Sequence, residues 1–207
     1  FIIVGIWNNG MKRKPEYFPQ KPYEALDATQ KKHISDILIK EKRIDTELKP
    51  ISDNYLQFLV TELKPFIDQT YSVKTDQANT FIAGSSMGGL ISMYAICEYP
   101  KVFGGAACLS THWTGIYQLH DNPIPEVLLT YLKANLPNPK NHKLYFDCGD
   151  KTLDSLYPSL QKRADVIIQK KGYTSTNWTT QYFPGKDHTE KAWQERLHIP
   201  LEFLLKL

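Results

Sequence analysis

Segments typical of strands and of helices alternate along this chain of 207 residues, and this alternation constrains the fold more than any other feature. Short apolar or β-branched runs predict strands, and apolar residues at every third or fourth position predict helices. The expected strands cover residues 1–6, 80–83, 104–109, 143–148 and 178–183, and the expected helices cover 53–71, 87–99, 125–136, 155–171 and 191–205. Regular alternation of this kind predicts an α/β domain with a mostly parallel sheet covered by helices on both faces.

Residues 12–50 interrupt the alternation with a polar stretch of mixed charge that contains four prolines. We expect a short helix near residues 31–42. A long excursion in a compact domain is usually functional or mobile, so the segment is predicted to form a lid or a pocket wall. Within it, Lys12, Arg13 and Lys14 are interpreted as a solvated turn, with contact to an anionic substrate as the alternative.

Composition excludes several classes of protein. Hydrophobic residues make up 42% and charged residues 23%, which is typical of one globular domain over residues 1–207. The net charge of +3 gives no electrostatic case for nucleic acid. No apolar run approaches the roughly 20 residues of a membrane span. Cys97, Cys108 and Cys148 are odd in number and widely spaced without a CxxC pair, which argues against a disulfide framework and a metal site. Each lies in an apolar stretch, which predicts a buried apolar side chain. The sequence does not fix the compartment.

The strongest chemical motif is Gly-Ser-Ser-Met-Gly at residues 84–88, which fits the pattern G-x-S-x-G. It follows an expected strand and precedes an expected helix, which is the setting of a nucleophile elbow. A tight turn with glycine at both ends would present one hydroxyl above the sheet, and the register selects Ser86 over Ser85. The N–H of Met87, at the helix start, would then face a developing oxyanion. A small-residue turn that holds a phosphate is the alternative.

A serine hydroxyl needs a base to become a good nucleophile. His188 follows the last expected strand and fits the chain order serine, acid, histidine. The acid that orients the imidazole is expected after the strand at 143–148, where three aspartates compete. Asp154 is favoured over Asp150, and Asp147, within the strand, is expected to point away.

These segments resemble, in order, the putative esterase family of α/β-hydrolases, the group that holds esterase D, enterochelin esterases, feruloyl and acetyl-xylan esterases and the mycolyltransferases. The similar segments are residues 3–6 with Asn8, Arg13 and 16–17, then 84–89, then 144–149 with 153–154, and last 183–185 with 188–190, Trp193, Arg196 and Leu197. The resemblance implies an α/β-hydrolase fold and a triad of Ser86, Asp154 and His188. It implies no metal or organic cofactor.

The pocket around the triad is predicted in less detail. The expected substrate-binding residues are Trp7, Asn8, Ser85, His112 and Trp113, of which Trp7, Asn8 and Trp113 are placed near the acyl or leaving group by the resemblance and His112 is interpreted as a wall residue. Trp193 and Arg196 are interpreted as a packing residue and a surface ion pair.

One departure from the family concerns the sheet. The strand that corresponds to residues 1–6 is the family's fourth, and the third, whose loop supplies a second oxyanion N–H, has no counterpart here. Without it, buried strand edges would lose hydrogen bonds at roughly 1–3 kcal/mol each, against a typical stability of about 5–15 kcal/mol. We therefore expect an N-terminally incomplete domain, or a sheet that another chain completes.

The predicted function is hydrolysis of carboxylic esters, small-molecule or carbohydrate-linked, through an acyl-enzyme. A non-catalytic binding member of the fold and an acyltransferase with the same triad are the alternatives. Neither the acyl group, the alcohol nor the oligomeric state follows from the sequence.

Overall fold

The structure is a computed structural model that describes residues 1–205, apart from the side chain of Met11. Its centre is a four-stranded parallel sheet whose strands lie side by side in chain order. The strands are β1 (Phe81–Ser85), β2 (Gly105–Leu109), β3 (Lys143–Cys148) and β4 (Trp178–Tyr182). The predicted α/β fold with a parallel sheet is confirmed.

Helices precede, connect and follow the strands. Five lie before the sheet: α1 (Arg13–Tyr17), α2 (Gln20–Glu24), α3 (Ala28–Lys40), α4 (Ser52–Phe58) and α5 (Lys64–Thr70). Five more follow in turn: α6 (Met87–Glu98), α7 (Ile124–Asn135), α8 (Pro158–Lys170), α9 (Glu190–Arg196) and α10 (His198–Leu205). None of the helices within residues 1–205 has the length and apolarity needed to cross a membrane.

Both faces of the sheet are covered, as β2 shows most clearly. Ala106 and Cys108 pack into a large apolar cluster on one face, whereas Ala107 and Leu109 pack with Leu204 of α10 on the other. Alternate residues of a strand point to opposite faces, so a continuously apolar strand needs cover on both. Like Cys108, the other two cysteines are buried and free, which confirms their predicted character.

The helix expected over residues 53–71 is divided. A π-helical turn, Leu59–Leu63, separates α4 from α5, and Pro65 lies in the first turn of α5. Proline has no N–H to donate, and its ring clashes with the carbonyl four residues earlier. The wider π turn relieves that conflict just before the proline, where the sequence predicts a kink.

Residues 1–6 do not form the predicted strand, and this prediction is wrong. They have no regular secondary structure, and Phe1 and Ile3 are 77% and 67% exposed. A strand is stable only when its main chain bonds to a neighbouring strand. Within the described part of the chain, β1 forms one edge of the sheet and is paired only with β2. The apolar, β-branched composition of residues 1–6 was therefore not sufficient to make these residues a strand.

The segment 12–50 contributes to the core. Its longest helix, α3, begins with a capping box in which Asp27 and Gln30 each accept the other's backbone N–H, at 2.8 and 3.0 Å. Ile34 of that helix is fully buried. Lys12 is exposed as expected, but Lys14 is buried, which corrects its interpretation as part of a solvated turn. A lid or wall role stays a prediction.

A buried ion pair joins α9 to β3. The guanidinium Nε and Nη2 of Arg196 donate to both carboxylate oxygens of Asp147, at 3.1 and 2.8 Å, and the side chains are 4% and 0% exposed. The guanidinium also lies over the ring of Phe183. The interpretation of Arg196 as a surface residue is therefore wrong, because a helical pattern does not reveal a partner on a distant strand.

We expect Arg196→Met to lower the free energy of unfolding by about 3–5 kcal/mol, because it leaves the Asp147 carboxylate buried without its partner. Urea denaturation measures the change. The matched control is Arg163→Met, which removes an exposed pair with Glu126 and should cost less than about 1 kcal/mol. Equal losses in the two variants would contradict a structural role for the buried pair.

Candidate active site

Ser86 lies in a tight turn between β1 and α6, with φ 58° and ψ −119°. Positive φ is unfavourable for a residue with a Cβ atom, and such strain concentrates at functional sites. A Cβ at Gly84 would lie 2.6 Å from the carbonyl carbon of Gly88, so only glycine fits at position 84. A Cβ at Gly88 would meet nothing within 4 Å, so crowding explains only the first of the two predicted glycines.

Backbone hydrogen bonds hold this strained residue in place. The N–H of Ser86 donates to the carbonyl of Leu109 at 2.9 Å, and its own carbonyl accepts from Leu90 and His112 at 3.1 and 3.2 Å. Met87 begins the 12-residue helix α6, where the first N–H groups have no partner within the helix. The turn thus places a hydroxyl next to free backbone donors.

A continuous row of hydrogen bonds joins the three residues predicted as a triad. The Oγ of Ser86 lies 2.8 Å from Nε2 of His188, and Nδ1 of His188 lies 2.5 Å from Oδ1 of Asp154. Asp154 is fully buried, in the 3₁₀ turn Thr152–Leu156 after β3. A hydroxyl, an imidazole and a carboxylate in this order can activate an oxygen nucleophile.

The loops that present the imidazole and the carboxylate are joined directly. The carbonyl of Lys186 accepts from the N–H groups of Asp150 and Lys151, both at 3.0 Å. The N–H of His188 donates to Oγ1 of Thr152 at 2.9 Å. A Cβ at Gly149 would lie 2.1 Å from the Lys186 carbonyl oxygen, so the loops approach this closely only because residue 149 is glycine.

The second oxygen of Asp154 is held by two donors, the N–H of Gly149 at 2.6 Å and the hydroxyl of Ser110 at 2.7 Å. Ser110 itself accepts from the indole N–H of Trp193 and from Nη2 of Arg196, both at 2.9 Å. A serine hydroxyl has one hydrogen and two lone pairs. Because two donors occupy the acceptor side, the Ser110 hydrogen points at Asp154.

Aromatic rings enclose the imidazole of His188. Tyr157 and Trp193 each meet it edge to face, with centroids 5.7 and 4.9 Å away. Tyr157 also hydrogen-bonds to Nδ1 of His112 at 2.6 Å. Burial raises the pKa of Tyr157 well above its usual value and lowers the pKa of His112 well below, so this second pair is neutral near pH 7.

The three competing aspartates have distinct environments. Only Asp154 contacts His188, whereas Asp147 bonds to Arg196. Asp150 accepts from the N–H of Gly185 and the hydroxyl of Tyr182, and these bonds, the Gly185 bond foremost, lower its pKa. It thus orders the loop that precedes His188 instead of touching the imidazole.

The predicted substrate-binding residues are dispersed. Ser85 lines a groove of about 330 Å³ with Trp193 and Leu197. His112 is buried, and its backbone N–H donates to the carbonyl of Ser86. Trp113 is a core residue, 1% exposed, and its indole N–H donates to the side chain of Gln161. That burial argues against the predicted contact between Trp113 and substrate.

Trp7 and Asn8 are not brought to Ser86. They line a separate surface groove of about 530 Å³ with Glu16 and Tyr55, and Trp7 is 95% exposed. The reason is that residues 1–6 form no strand, so nothing holds the following loop at the carboxyl edge of the sheet. Their predicted role has no support in this geometry.

Ser110 is the functional candidate that sequence reasoning missed. It follows β2 directly, and the carboxyl ends of parallel strands are where working groups collect, so its position was available as a clue. Its φ of +43° marks a second strained residue beside Ser86. Within residues 1–205 no group of three or more His, Cys, Asp or Glu side chains is arranged to hold a metal ion.

The sequence profile of the family described as putative esterase matches residues 32–203. This match covers most of the chain, and the protein belongs to the putative esterase family. The resemblance stated from the sequence is thereby confirmed.

Three similar proteins illustrate the relationship. The uncharacterized protein YbbA of Bacillus subtilis (strain 168) is 23% identical over 166 residues, which are 77% of this chain and 62% of that protein. The enterobactin esterase FES from Shigella flexneri superposes with a TM-score of 0.60 at 20% identity, over 88% of this chain and 42% of the other. An IroE-like serine hydrolase from Shewanella oneidensis superposes with a TM-score of 0.61 at 15% identity, over 94% of this chain and 55% of the other.

The two solved structures establish the α/β-hydrolase type of fold, which was predicted. This chain spans about three fifths of the curated relative YbbA and about half or less of the two solved structures.

We expect Gly149→Ala to separate the two loops, because the new methyl group would overlap the Lys186 carbonyl. The proton between His188 and Asp154 should lose its downfield NMR resonance, and stability should fall by about 1–3 kcal/mol. Gly5→Ala, whose methyl group would meet nothing, is the control. A folded Gly149→Ala protein with an unchanged resonance would show that the approach is not required.

Proposed function

We propose that this protein is a serine esterase that hydrolyses carboxylic esters through an acyl-enzyme. The observation that carries the proposal is the row from Ser86 Oγ through His188 to the buried Asp154 carboxylate. Membership of the putative esterase family supports the same reaction class.

In the first half of the reaction, Ser86 Oγ attacks the ester carbonyl carbon and its proton passes to Nε2 of His188. The tetrahedral intermediate then expels the alcohol, which takes that proton, and the acyl group remains on Ser86. Asp154 stabilises the transient imidazolium and fixes the tautomer without taking the proton itself. The N–H of Met87 is proposed as one oxyanion donor.

In the second half, His188 removes a proton from water, and the resulting hydroxide attacks the acyl carbonyl. Collapse of the second intermediate returns the proton to Ser86 and releases the carboxylic acid. An alcohol could attack the acyl carbonyl in place of water. Transfer of the acyl group to an alcohol acceptor is therefore the alternative outcome, and analysis of the products would reveal it.

The acyl and alcohol groups are proposed only as a class, small-molecule or carbohydrate-linked esters. FES was crystallised in the presence of 2,3-dihydroxy-N-benzoyl-serine, a small aromatic compound. Another similar solved structure is a ferulic acid esterase, so esters of aromatic acids are suitable first substrates to assay.

We expect Ser86→Ala to reduce 4-nitrophenyl acetate turnover by about 10⁶-fold, to the level of the remaining oxyanion stabilisation. A fluorophosphonate should label the natural protein at Ser86 and leave the variant unlabelled. Ser85→Ala, one residue away, is the matched control and should keep its labelling. Undiminished turnover in Ser86→Ala would reject the mechanism, and absence of both turnover and labelling in the natural protein would favour a non-catalytic binding role.

We expect Ser110→Ala to lower kcat by roughly 10- to 100-fold with little change in KM, because Asp154 loses one of the hydrogen bonds that hold its carboxylate in position against His188. Ser35→Ala removes another buried hydroxyl, which bonds to the backbone of Lys31 and Leu48, and serves as the stability control. If both variants lose the same stability and both keep kcat, Ser110 is only structural.

A further inference from the structure

A second polar cluster lies beside Ser86 and takes no part in the proposed reaction. Its centre is Lys14, whose side chain is buried and whose Nζ lies 2.6 Å from the carbonyl of Gly115 and 3.8 Å from Sδ of Met87. An ammonium has three N–H donors. Within the described residues, the Gly115 carbonyl is its one oxygen acceptor.

The cluster also contains Nε2 of His112 and Oε2 of Glu41. Both atoms are buried without a hydrogen-bond partner among the described residues. Nδ1 of His112 is engaged by Tyr157, so the free nitrogen is on the other edge of the ring. Buried polar atoms are normally hydrogen-bonded. Nε2 of His112 and the ammonium of Lys14 therefore have hydrogen-bonding capacity that the described residues leave unused.

The cluster opens to solvent at Tyr117, which is 40% exposed. The guanidinium of Arg43 lies 4.6 Å from the centre of its ring, Nζ of Lys14 lies 5.9 Å away, and the ring of His112 lies 5.6 Å away. An exposed ring flanked by two cations forms a surface suited to a negatively charged group.

Charge in the cluster is only partly compensated. Burial lowers the pKa of Lys14 to about 7, and Arg13 and Arg43 act in the same direction. Glu41 opposes them, although no ion pair within 4.0 Å joins it to Lys14 among the described residues, and burial raises its own pKa. A bound anion would stabilise the charged form of Lys14.

We propose that Lys14, Arg43, His112 and Tyr117 form a subsite for a carboxylate group carried by the ester substrate. The subsite adjoins the reacting centre, because Lys14 contacts Met87 and the N–H of His112 donates to the carbonyl of Ser86. This inference rests on the proposed esterase function and narrows its substrate class to anionic esters.

The test compares kcat/KM for two matched ester pairs, 4-nitrophenyl hydrogen glutarate with 4-nitrophenyl valerate, and 4-acetoxybenzoate with 4-acetoxybenzamide. The first pair carries the charge on the acyl side and the second on the alcohol side. We expect a preference of roughly 10-fold or more for the anion in at least one pair, equivalent to one charge-assisted hydrogen bond.

Variants of opposite sign sharpen the test. Arg43→Gln should reduce the ratio of kcat/KM between the anionic and the neutral ester several-fold, whereas Glu41→Gln should increase that ratio. Arg163→Gln has the same change in net charge as Arg43→Gln on the exposed face of α8 and should change nothing. Lys14→Met should abolish the preference, and the exposed Arg43 keeps the test decisive if that variant does not fold.

Binding separates the two proposals. Ligand-observed NMR on Ser86→Ala should detect monomethyl glutarate and not dimethyl glutarate, with binding weakened by Arg43→Gln. Hydrolysis of both members of each pair at equal rates overturns the subsite and leaves the esterase proposal standing. Anion binding without turnover of any of the four esters overturns the esterase proposal and still supports the anion site.

Discussion

The arrangement of the candidate active site depends on one buried carboxylate. Asp154 is removed from water, so its charge must be met by hydrogen bonds, and His188, Ser110 and the Gly149 N–H supply them. Each of these donors comes from a different part of the chain. Satisfying a single anion therefore fixes the relative positions of the ends of β2, β3 and the loop after β4.

The same requirement extends outward through Ser110 to α9. Arg196 bonds to Ser110 and neutralises Asp147 on the neighbouring strand, and Trp193 meets both Ser110 and the ring of His188. Two buried carboxylates thus share one network with a single arginine and a single serine hydroxyl. The packing of α9 and the position of the His188 imidazole therefore depend on the same hydrogen-bond network.

Local patterns in the sequence were sufficient to predict β2, β3, α6 and the turn at Ser86, because an apolar run or the crowded Gly84 determines these locally. Residues 1–6 had an equally good strand pattern, but they form no strand, because pairing depends on a neighbour elsewhere in the chain. The sequence narrowed the acid to three aspartates, and only the tertiary contacts distinguish them. Ser110 and Arg196 were missed or misread for the same reason, since their partners are distant in sequence.

The backbone at Ser86 has a consequence for how the protein can change. Glycine adopts positive φ without a Cβ conflict, so Ser86→Gly would relax the turn while it deletes the hydroxyl. Selection of variants for thermal stability alone would therefore favour Ser86→Gly. With serine at this position, the native state has a less favourable main-chain conformation and an oxygen atom at the turn, so stability and the hydroxyl are in conflict there.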